Sequence, residues 1–300
     1  MWKDIKESYL AIWAALLIPA LWGLYWIPLR YLEDQLQRGA WTNVIVLLIA
    51  CAVLLPIAWL KRKEYGHINK RGLGSTVLGG AAFTMYSVGL LYGNIATVIV
   101  LFYMTPVWSI IIAKICFNTA ISRSRYAAIL LGLIGVFLVL NDEGNIGLPL
   151  PETIGDWLGL LSGFLWSVSS IGMNRHSNLN AVASNFIFCI GALIMAFLLC
   201  IILSAPVHQI EVTINYQACI VAALLIGIVW WALSLTALMW SVPKIDPARL
   251  GIFMMTEVIV GAVSAAIFSE EAYNLTMVIG AMLVVMAGFF EANSAKKVQH

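Results

Sequence analysis

The sequence predicts an all-α integral membrane protein with ten transmembrane helices, which form two inverted five-helix repeats with both termini in the cytoplasm. Three observations lead to this prediction: long apolar stretches fill nearly the whole chain, basic residues alternate between successive connectors, and the two halves resemble each other. Of the 300 residues, 62% are hydrophobic and 11% are charged. A water-soluble fold could not cover that much apolar surface.

Ten apolar stretches are long enough to cross a bilayer, which takes about twenty residues of helix. They lie, in chain order, at 9–29, 41–60, 72–92, 95–117, 126–141, 154–174, 182–204, 216–240, 245–268 and 274–292. The first stretch is too long for the core of a signal peptide, so we predict that it is retained as the first helix. Because the connectors are short, no segment is left to build a separate soluble domain.

The basic residues set the orientation of the predicted helices, because Lys and Arg concentrate on the cytoplasmic side of membrane proteins. With the N-terminus inside, only Arg30 and Arg38 of the 17 Lys and Arg residues fall on the outer side. This asymmetry favours ten spans with both ends in the cytoplasm. It predicts a multi-pass protein of the cell inner (plasma) membrane, with the lipid bilayer as its surroundings.

The two halves of the chain carry matching residues in the same order. The matches are Trp22 with Trp166, Gly79 with Gly227, and residues 102–107 with residues 253–258, at offsets of 144, 148 and 151. We therefore predict a first repeat over residues 1–145 and a second over 146–300. Because each repeat has five helices, an odd number, the second must enter the membrane inverted. Inverted repeats supply two conformations, one open to each side, and a binding site where the halves meet.

A set of short motifs is spread over residues 8–292. They are Trp22-Gly23, Trp166, Thr105-Pro106, Ala248-Arg249, Thr256-Glu257, Ser269-Glu270, Gly280 and Gly288. With these motifs the chain resembles the ten-helix EamA-type branch of the drug/metabolite transporter superfamily. The resemblance implies a substrate cavity formed by helices one to four and six to nine. It also implies export or exchange of small metabolites such as amino acids, aromatic compounds or toxic cations. One departure is Thr119-Ala120, which stands where a Gly-Glu step would end the first repeat.

Glu257 is the sharpest candidate for a functional residue. It lies near the middle of the ninth stretch, where an ionised carboxylate costs about 2.5–3.5 kcal/mol on insertion scales and therefore faces protein or a watery cavity. It could bind a proton, balance a cationic substrate or change a gate when substrate arrives. The structural alternative is a protonated carboxyl group bonded to a neighbour. Its partner in the first repeat is Pro106.

Aromatic residues of the cavity-forming helices are the second group of candidates. We predict that substrate contacts Trp22, Trp26, Tyr86, Tyr103, Trp166 and Trp230, together with Ser170 and Glu257. Trp22 and Trp26 fall four residues apart, on one face of the first predicted helix. Such rings could stack on aromatic substrates or surround a cation. Ordinary packing in the core or against lipid is the alternative for each ring.

Three residues are predicted to act in gating or as hinges. Pro19 and Pro106 interrupt apolar stretches, and a proline there frees backbone carbonyls or lets a helix bend. Arg249 opens the ninth stretch beside Asp246 and Lys244. We predict that Arg249 anchors the cytoplasmic end or forms a closing salt bridge.

These features predict a secondary transporter that moves a small organic metabolite, an amino acid or an aromatic or amphipathic compound, by alternating access. Export is the expected direction. Coupling to a proton or to an exchange substrate is expected, because no nucleotide-binding loop points to ATP. No enzyme motif such as His-Glu-x-x-His or Gly-x-Ser-x-Gly occurs. The five cysteines are scattered, and we expect no metal, no cofactor and no nucleic acid partner.

Two alternatives stay open beside the metabolite carrier. The first is a carrier for an organic or quaternary ammonium cation, bound by an aromatic cage and Glu257. The second, less favoured, is a channel, which would need a ring of carbonyls or charges. Replacing Glu257 by Gln separates the metabolite carrier from the cation carrier, because cation recognition should be lost while stacking of an uncharged ring should survive.

Overall fold

The fold is described from a computed structural model. It describes the backbone of residues 2–62, 69–117, 123–140, 151–176, 179–203, 215–245, 247–269 and 275–298. Within these ranges, the side chains of residues 2–8, 113, 117, 124–125, 140, 243, 247–252 and 291–298 are not described.

All regular structure in the described ranges is helical. The helices are α1 (Trp2–Gly23), α2 (Trp26–Leu36), α3 (Ala40–Leu60), α4 (Lys70–Tyr92), α5 (Ile95–Phe102), α6 (Thr105–Phe117), α7 (Arg123–Leu140), α8 (Ile154–His176), α9 (Ala181–Ile202), α10 (Tyr216–Leu225), α11 (Leu235–Ser241), α12 (Pro247–Phe268) and α13 (Leu275–Val298). A π-helical segment (Ile226–Ser234) joins α10 to α11, and a short 3₁₀ turn (Val242–Lys244) follows α11.

Several helices of the described residues are suited to a membrane. Six are long and apolar enough to cross a bilayer, and three shorter apolar helices accompany them. The fold is therefore an all-helical one with several segments capable of spanning a membrane. Three of the ten predicted stretches are not single continuous α-helices, and each interruption has a local cause.

The first predicted helix is interrupted between α1 and α2, at Leu24 and Tyr25. Pro28 has no N–H to donate to the carbonyl of Leu24, and that carbonyl accepts the N–H of Ile27 at 3.2 Å instead. The N–H of Tyr25 instead bonds the carbonyl of Trp22 at 2.9 Å, three residues back. By contrast, α1 runs through Pro19 without a break.

The fourth predicted helix is interrupted between α5 and α6, at Tyr103 and Met104. Pro106 cannot donate to the carbonyl of Phe102, four residues earlier. That carbonyl accepts the hydroxyl of Thr105 at 2.7 Å instead. The interruption lies at the proline that the sequence singled out.

The eighth predicted helix widens into the π-helical segment. Asn185 of α9 donates its amide N–H groups to the carbonyls of Trp231 and Ala232, at 2.8 and 3.0 Å, and to the hydroxyl of Thr236 at 2.9 Å. A π-helical insertion leaves irregular carbonyls that need a partner. A buried asparagine on the neighbouring helix supplies it.

Helix α4 is the centre of the packing. It packs against α8 and α9, while α1 packs against α12 and α7 against α13. The α4–α9 contact depends on Gly80, because a Cβ there would stand 1.8 Å from the carbonyl oxygen of Phe188. Only glycine allows the two backbones to approach so closely.

Candidate functional site

The side chain of Glu257 is buried and only 4% exposed. The hydroxyl of Tyr86 in α4 donates to one carboxylate oxygen at 3.0 Å. The hydroxyl of Tyr103, at the junction of α5 and α6, donates to the other at 2.7 Å. Three of the predicted site residues therefore meet at one point.

This arrangement gives the carboxylate a donor for each of its oxygens. A buried acceptor without a donor carries a large desolvation cost, which these two bonds offset. Tyr103 is placed for this by the helix break, since it is the residue that follows α5, and its hydroxyl also lies 2.9 Å from the carbonyl of Met254. Chemically, either phenol could release its hydrogen bond to the carboxylate when a proton carrier or a cationic group of a bound molecule takes its place.

An aromatic cluster surrounds the Glu257 site. Its centre is Phe83 of α4, which is 4% exposed. The rings within 6 Å of the Phe83 ring, by centroid distance, are Trp166 at 4.9 Å, Trp22 at 5.3 Å, Phe188 at 5.3 Å and Phe102 at 5.8 Å. Phe102 continues the cluster to Tyr86 at 4.6 Å and to Tyr103 at 5.3 Å. The cluster thus connects Trp22 of α1 and Trp166 of α8 to the phenols that hold Glu257.

The indole N–H groups of three predicted tryptophans hold α1 and α2 to the second half of the chain. Trp22 donates to the hydroxyl of Ser234 at 2.9 Å, and Trp230 donates to the carbonyl of Leu21 at 2.9 Å. Trp26 donates to the hydroxyl of Ser264 in α12 at 3.0 Å.

Trp22 and Trp26, predicted to lie on one face of the first helix, bond to different neighbours in the second half of the chain. The helix break lies between them, so Trp22 reaches the π-helical segment while Trp26 reaches α12. Trp26 makes none of the ring contacts of the aromatic cluster described above. Trp22 belongs to that cluster.

The other predicted residues differ in whether they contact the aromatic cluster. Trp166 is partly buried and belongs to the aromatic cluster. Ser170 donates to the carbonyl of Ser167 in its own helix at 3.1 Å. Pro106 follows the α5–α6 break. Arg249 lies within α12, but its side chain falls outside the described residues.

Sequence reasoning missed a second polar group beside the aromatic cluster. The indole of Trp231 donates to the hydroxyl of Tyr25 at 3.1 Å, the hydroxyls of Tyr25 and Ser87 lie 2.6 Å apart, and Ser87 donates to the amide oxygen of Asn43. We call these four residues the relay. All four are 0% exposed. The signal that could have found it is Asn43, an amide in an otherwise apolar stretch.

A metal centre finds no support in the described part of the chain, where no group of three His, Cys, Asp or Glu residues is placed to hold an ion. The described cysteines are free thiols.

Comparisons with known proteins agree with this architecture. The model of the EamA-like transporter family matches residues 9–141. Among solved structures, 27 chains match. One of them, a crystal structure of a protein, aligns over 94% of this chain and 98% of its own, with a TM-score of 0.59 and 14% identical residues. That likeness shows a shared fold alone. No curated protein matches the sequence. The match over residues 9–141 agrees with the predicted resemblance to the EamA-type branch of the drug/metabolite transporter superfamily.

Proposed function

We propose that this protein is a secondary transporter that moves a small organic metabolite across the cell inner (plasma) membrane by alternating access. In this proposal, residues 1–145 and 146–300 are inverted repeats, and substrate binds where they meet. The expected direction is export, with a proton or an exchange substrate as the coupling partner. Glu257 is the residue on which coupling and recognition depend.

Paired ring contacts support the inverted repeats. Trp22 packs edge-on against Trp231, with ring centroids 5.6 Å apart and planes at 75°. Trp166 packs edge-on against Phe83 at 4.9 Å and 66°. Trp22 corresponds to Trp166 at the offset of 144, and Phe83 corresponds to Trp231 at the offset of 148. When each residue is replaced by its counterpart in the other repeat, the Trp22–Trp231 pair becomes the Trp166–Phe83 pair. A two-fold relation between the halves predicts such an exchange.

Two threonines support the same relation. Thr105 donates to the carbonyl of Phe102 at 2.7 Å, and Thr256 donates to the carbonyl of Phe253 at 2.7 Å. An offset of 151 carries one bond onto the other. Bonds of this spacing also occur at Ser162, Ser170 and Ser241, so the threonine match supports the repeat by its position alone.

The single observation that carries the proposal is the pair of hydrogen bonds at Glu257. The carboxylate belongs to the second proposed repeat, and both of its donors, Tyr86 and Tyr103, belong to the first. A buried acid held across the junction of two halves is expected of a coupling or recognition site in a carrier. For substrate to enter, the rings of Trp22, Phe83 and Trp166 must separate.

A carrier for organic cations is the second candidate function. The observation that favours it is the position of the carboxylate beside Tyr86, Tyr103 and Phe102, whose rings are 5.3 Å apart or less along the cluster. A buried anion with aromatic rings nearby suits a cation, which gains from charge pairing and from cation–π attraction.

A thermal-shift screen of the purified protein tests both candidates. Specific ligands raise the unfolding temperature because they bind only the folded state. The panel contains amino acids, amines and quaternary ammonium ions. Glu257→Gln should abolish the shift with cations and largely preserve the shift with an uncharged aromatic ligand. Glu152→Gln makes the same charge change at an exposed connector residue and serves as the matched control.

Transport and topology complete the test. Ligands that bind should be taken up by proteoliposomes, and an imposed pH gradient should change the rate if a proton is coupled. Binding that is unaffected by both Glu257→Gln and Trp22→Ala would place the site elsewhere.

Cysteine labelling of positions 145 and 300 should mark opposite faces of the membrane, and labelling of both from one face would contradict the inverted repeats.

A further inference from the structure

The relay is a hydrogen-bond chain with one direction. Ser87 uses its only hydroxyl hydrogen toward the amide oxygen of Asn43, so the short contact with Tyr25 must be a bond that Tyr25 donates. Tyr25 in turn accepts from the indole of Trp231. Every donor points toward Asn43, and the chain ends on its amide group.

The amide nitrogen of Asn43 has no acceptor among the described residues, although its side chain is 0% exposed. Buried amide groups are satisfied in the large majority of proteins, and those that are not call for a water, an ion or a ligand. The two N–H bonds of this amide can only donate. The missing partner is therefore a hydrogen-bond acceptor.

The orphaned amide belongs to the same region as the proposed substrate site. Ser87 follows Tyr86 directly in α4, and Tyr86 donates to Glu257. At the other end of the relay, Trp231 contacts the ring of Trp22 in the aromatic cluster. The relay thus runs from Trp231, which contacts Trp22, to the unpartnered amide of Asn43, and it passes Ser87, the chain neighbour of Tyr86.

We propose that Asn43 binds an acceptor oxygen of the transported molecule, a carboxylate or carbonyl oxygen, at the end of the relay. This inference rests on the proposed function and refines it. Glu257 takes the ammonium end of the substrate, Asn43 takes the oxygen end, and Tyr25 and Ser87 fix the orientation of the amide. A substrate with both groups is then preferred to a simple amine.

Two indole compounds that differ in one group test this assignment. Tryptophan carries an ammonium and a carboxylate, while tryptamine lacks the carboxylate. Binding of each to the purified protein is measured by calorimetry at a single pH. The readout is the dissociation constant of tryptamine divided by that of tryptophan, measured within one variant. A change in overall stability does not imitate a change in this ratio.

In the unaltered protein tryptophan should bind more tightly than tryptamine. Asn43→Leu should weaken tryptophan roughly ten- to a hundred-fold, the value of a hydrogen bond to a charged group, and leave tryptamine within about threefold. Thr84→Val removes a buried hydroxyl of α4 that bonds the carbonyl of Ala192 and should leave the ratio unchanged. Ser87→Ala should lower the ratio partway, because the amide loses its anchor.

The outcomes separate this inference from the proposed function. If Glu257→Gln weakens both compounds while Asn43→Leu leaves their ratio unaltered, water alone occupies the Asn43 site and the inference is overturned. If neither compound binds, this inference is overturned, while the proposed function is still judged by the wider ligand panel. If both bind and both are insensitive to Glu257→Gln, the proposed function fails and this inference fails with it.

Discussion

Gly135 of α7 and Gly280 of α13 face each other reciprocally. A Cβ on Gly135 would stand 2.6 Å from the carbonyl oxygen of Gly280, and a Cβ on Gly280 would stand 2.5 Å from the carbonyl oxygen of Gly135. Each would also meet a valine four residues beyond the opposite glycine, Val284 at 2.8 Å and Val139 at 2.7 Å. One offset, 145, relates both pairs. The contact is therefore nearly two-fold symmetric, which agrees with the proposed relation between the repeats.

The reciprocal glycine contact predicts a stability effect. Gly135→Val and Gly280→Val should each destabilise the protein by about 1–3 kcal/mol, because the added carbons overlap backbone atoms that cannot move independently. The measurement is the thermal unfolding temperature in detergent. Gly74→Ala is the control, since a Cβ at Gly74 meets nothing within 4 Å. Unfolding temperatures equal to that of the control would contradict the contact.

The carboxylate and its donors predict a non-additive effect on stability. Tyr103→Phe should destabilise the unaltered protein by about 1–3 kcal/mol, because one oxygen of Glu257 loses its donor in a buried place. In a Glu257→Leu background the same change should cost much less, since no carboxylate is left to satisfy. Chemical unfolding of the four variants measures the coupling. Tyr126→Phe, at an exposed residue of α7, controls for loss of a hydroxyl, and strict additivity would exclude the bond.

The break in the fourth helix predicts a second coupling. Thr105→Val should cost about 0.5–1.5 kcal/mol, because the carbonyl of Phe102 loses the hydroxyl that bonds it. After Pro106→Ala the new N–H can donate to that carbonyl, and Thr105→Val should then have a smaller effect. Equal costs in both backgrounds, measured by unfolding, would show that the hydroxyl does not replace the missing N–H.

Asn185 is predicted to maintain the π-helical segment. Asn185→Leu keeps the approximate size of the side chain but removes three donor contacts, at a cost of about 1–3 kcal/mol. Amide hydrogen exchange over residues 226–241 should accelerate. Thr236→Val removes only one of the three contacts and should have a smaller effect. An exchange rate unchanged by Asn185→Leu would mean that the segment does not need the amide.

The sequence determined the membrane class of the protein because apolar length and charge placement are properties of the chain itself. It also determined the family resemblance over residues 9–141, and it identified Glu257 because an acid in an apolar stretch needs a partner wherever the chain folds. The helix interruption at Pro106 was equally local, since a missing N–H affects the carbonyl four residues earlier in any fold.

Only the tertiary structure decided which side chains share the site. Tyr86 and Tyr103 meet Glu257 across more than 150 residues of chain, and Phe83 joins two helices that no sequence spacing connects. The relay from Trp231 to Asn43 likewise depends on four separate helical regions meeting: the π-helical segment, the α1–α2 junction, α4 and α3. Periodicity along one helix fixes a face, but the partner of that face depends on how the helices pack. For the same reason Trp22 and Trp26, four residues apart, bond to different neighbours.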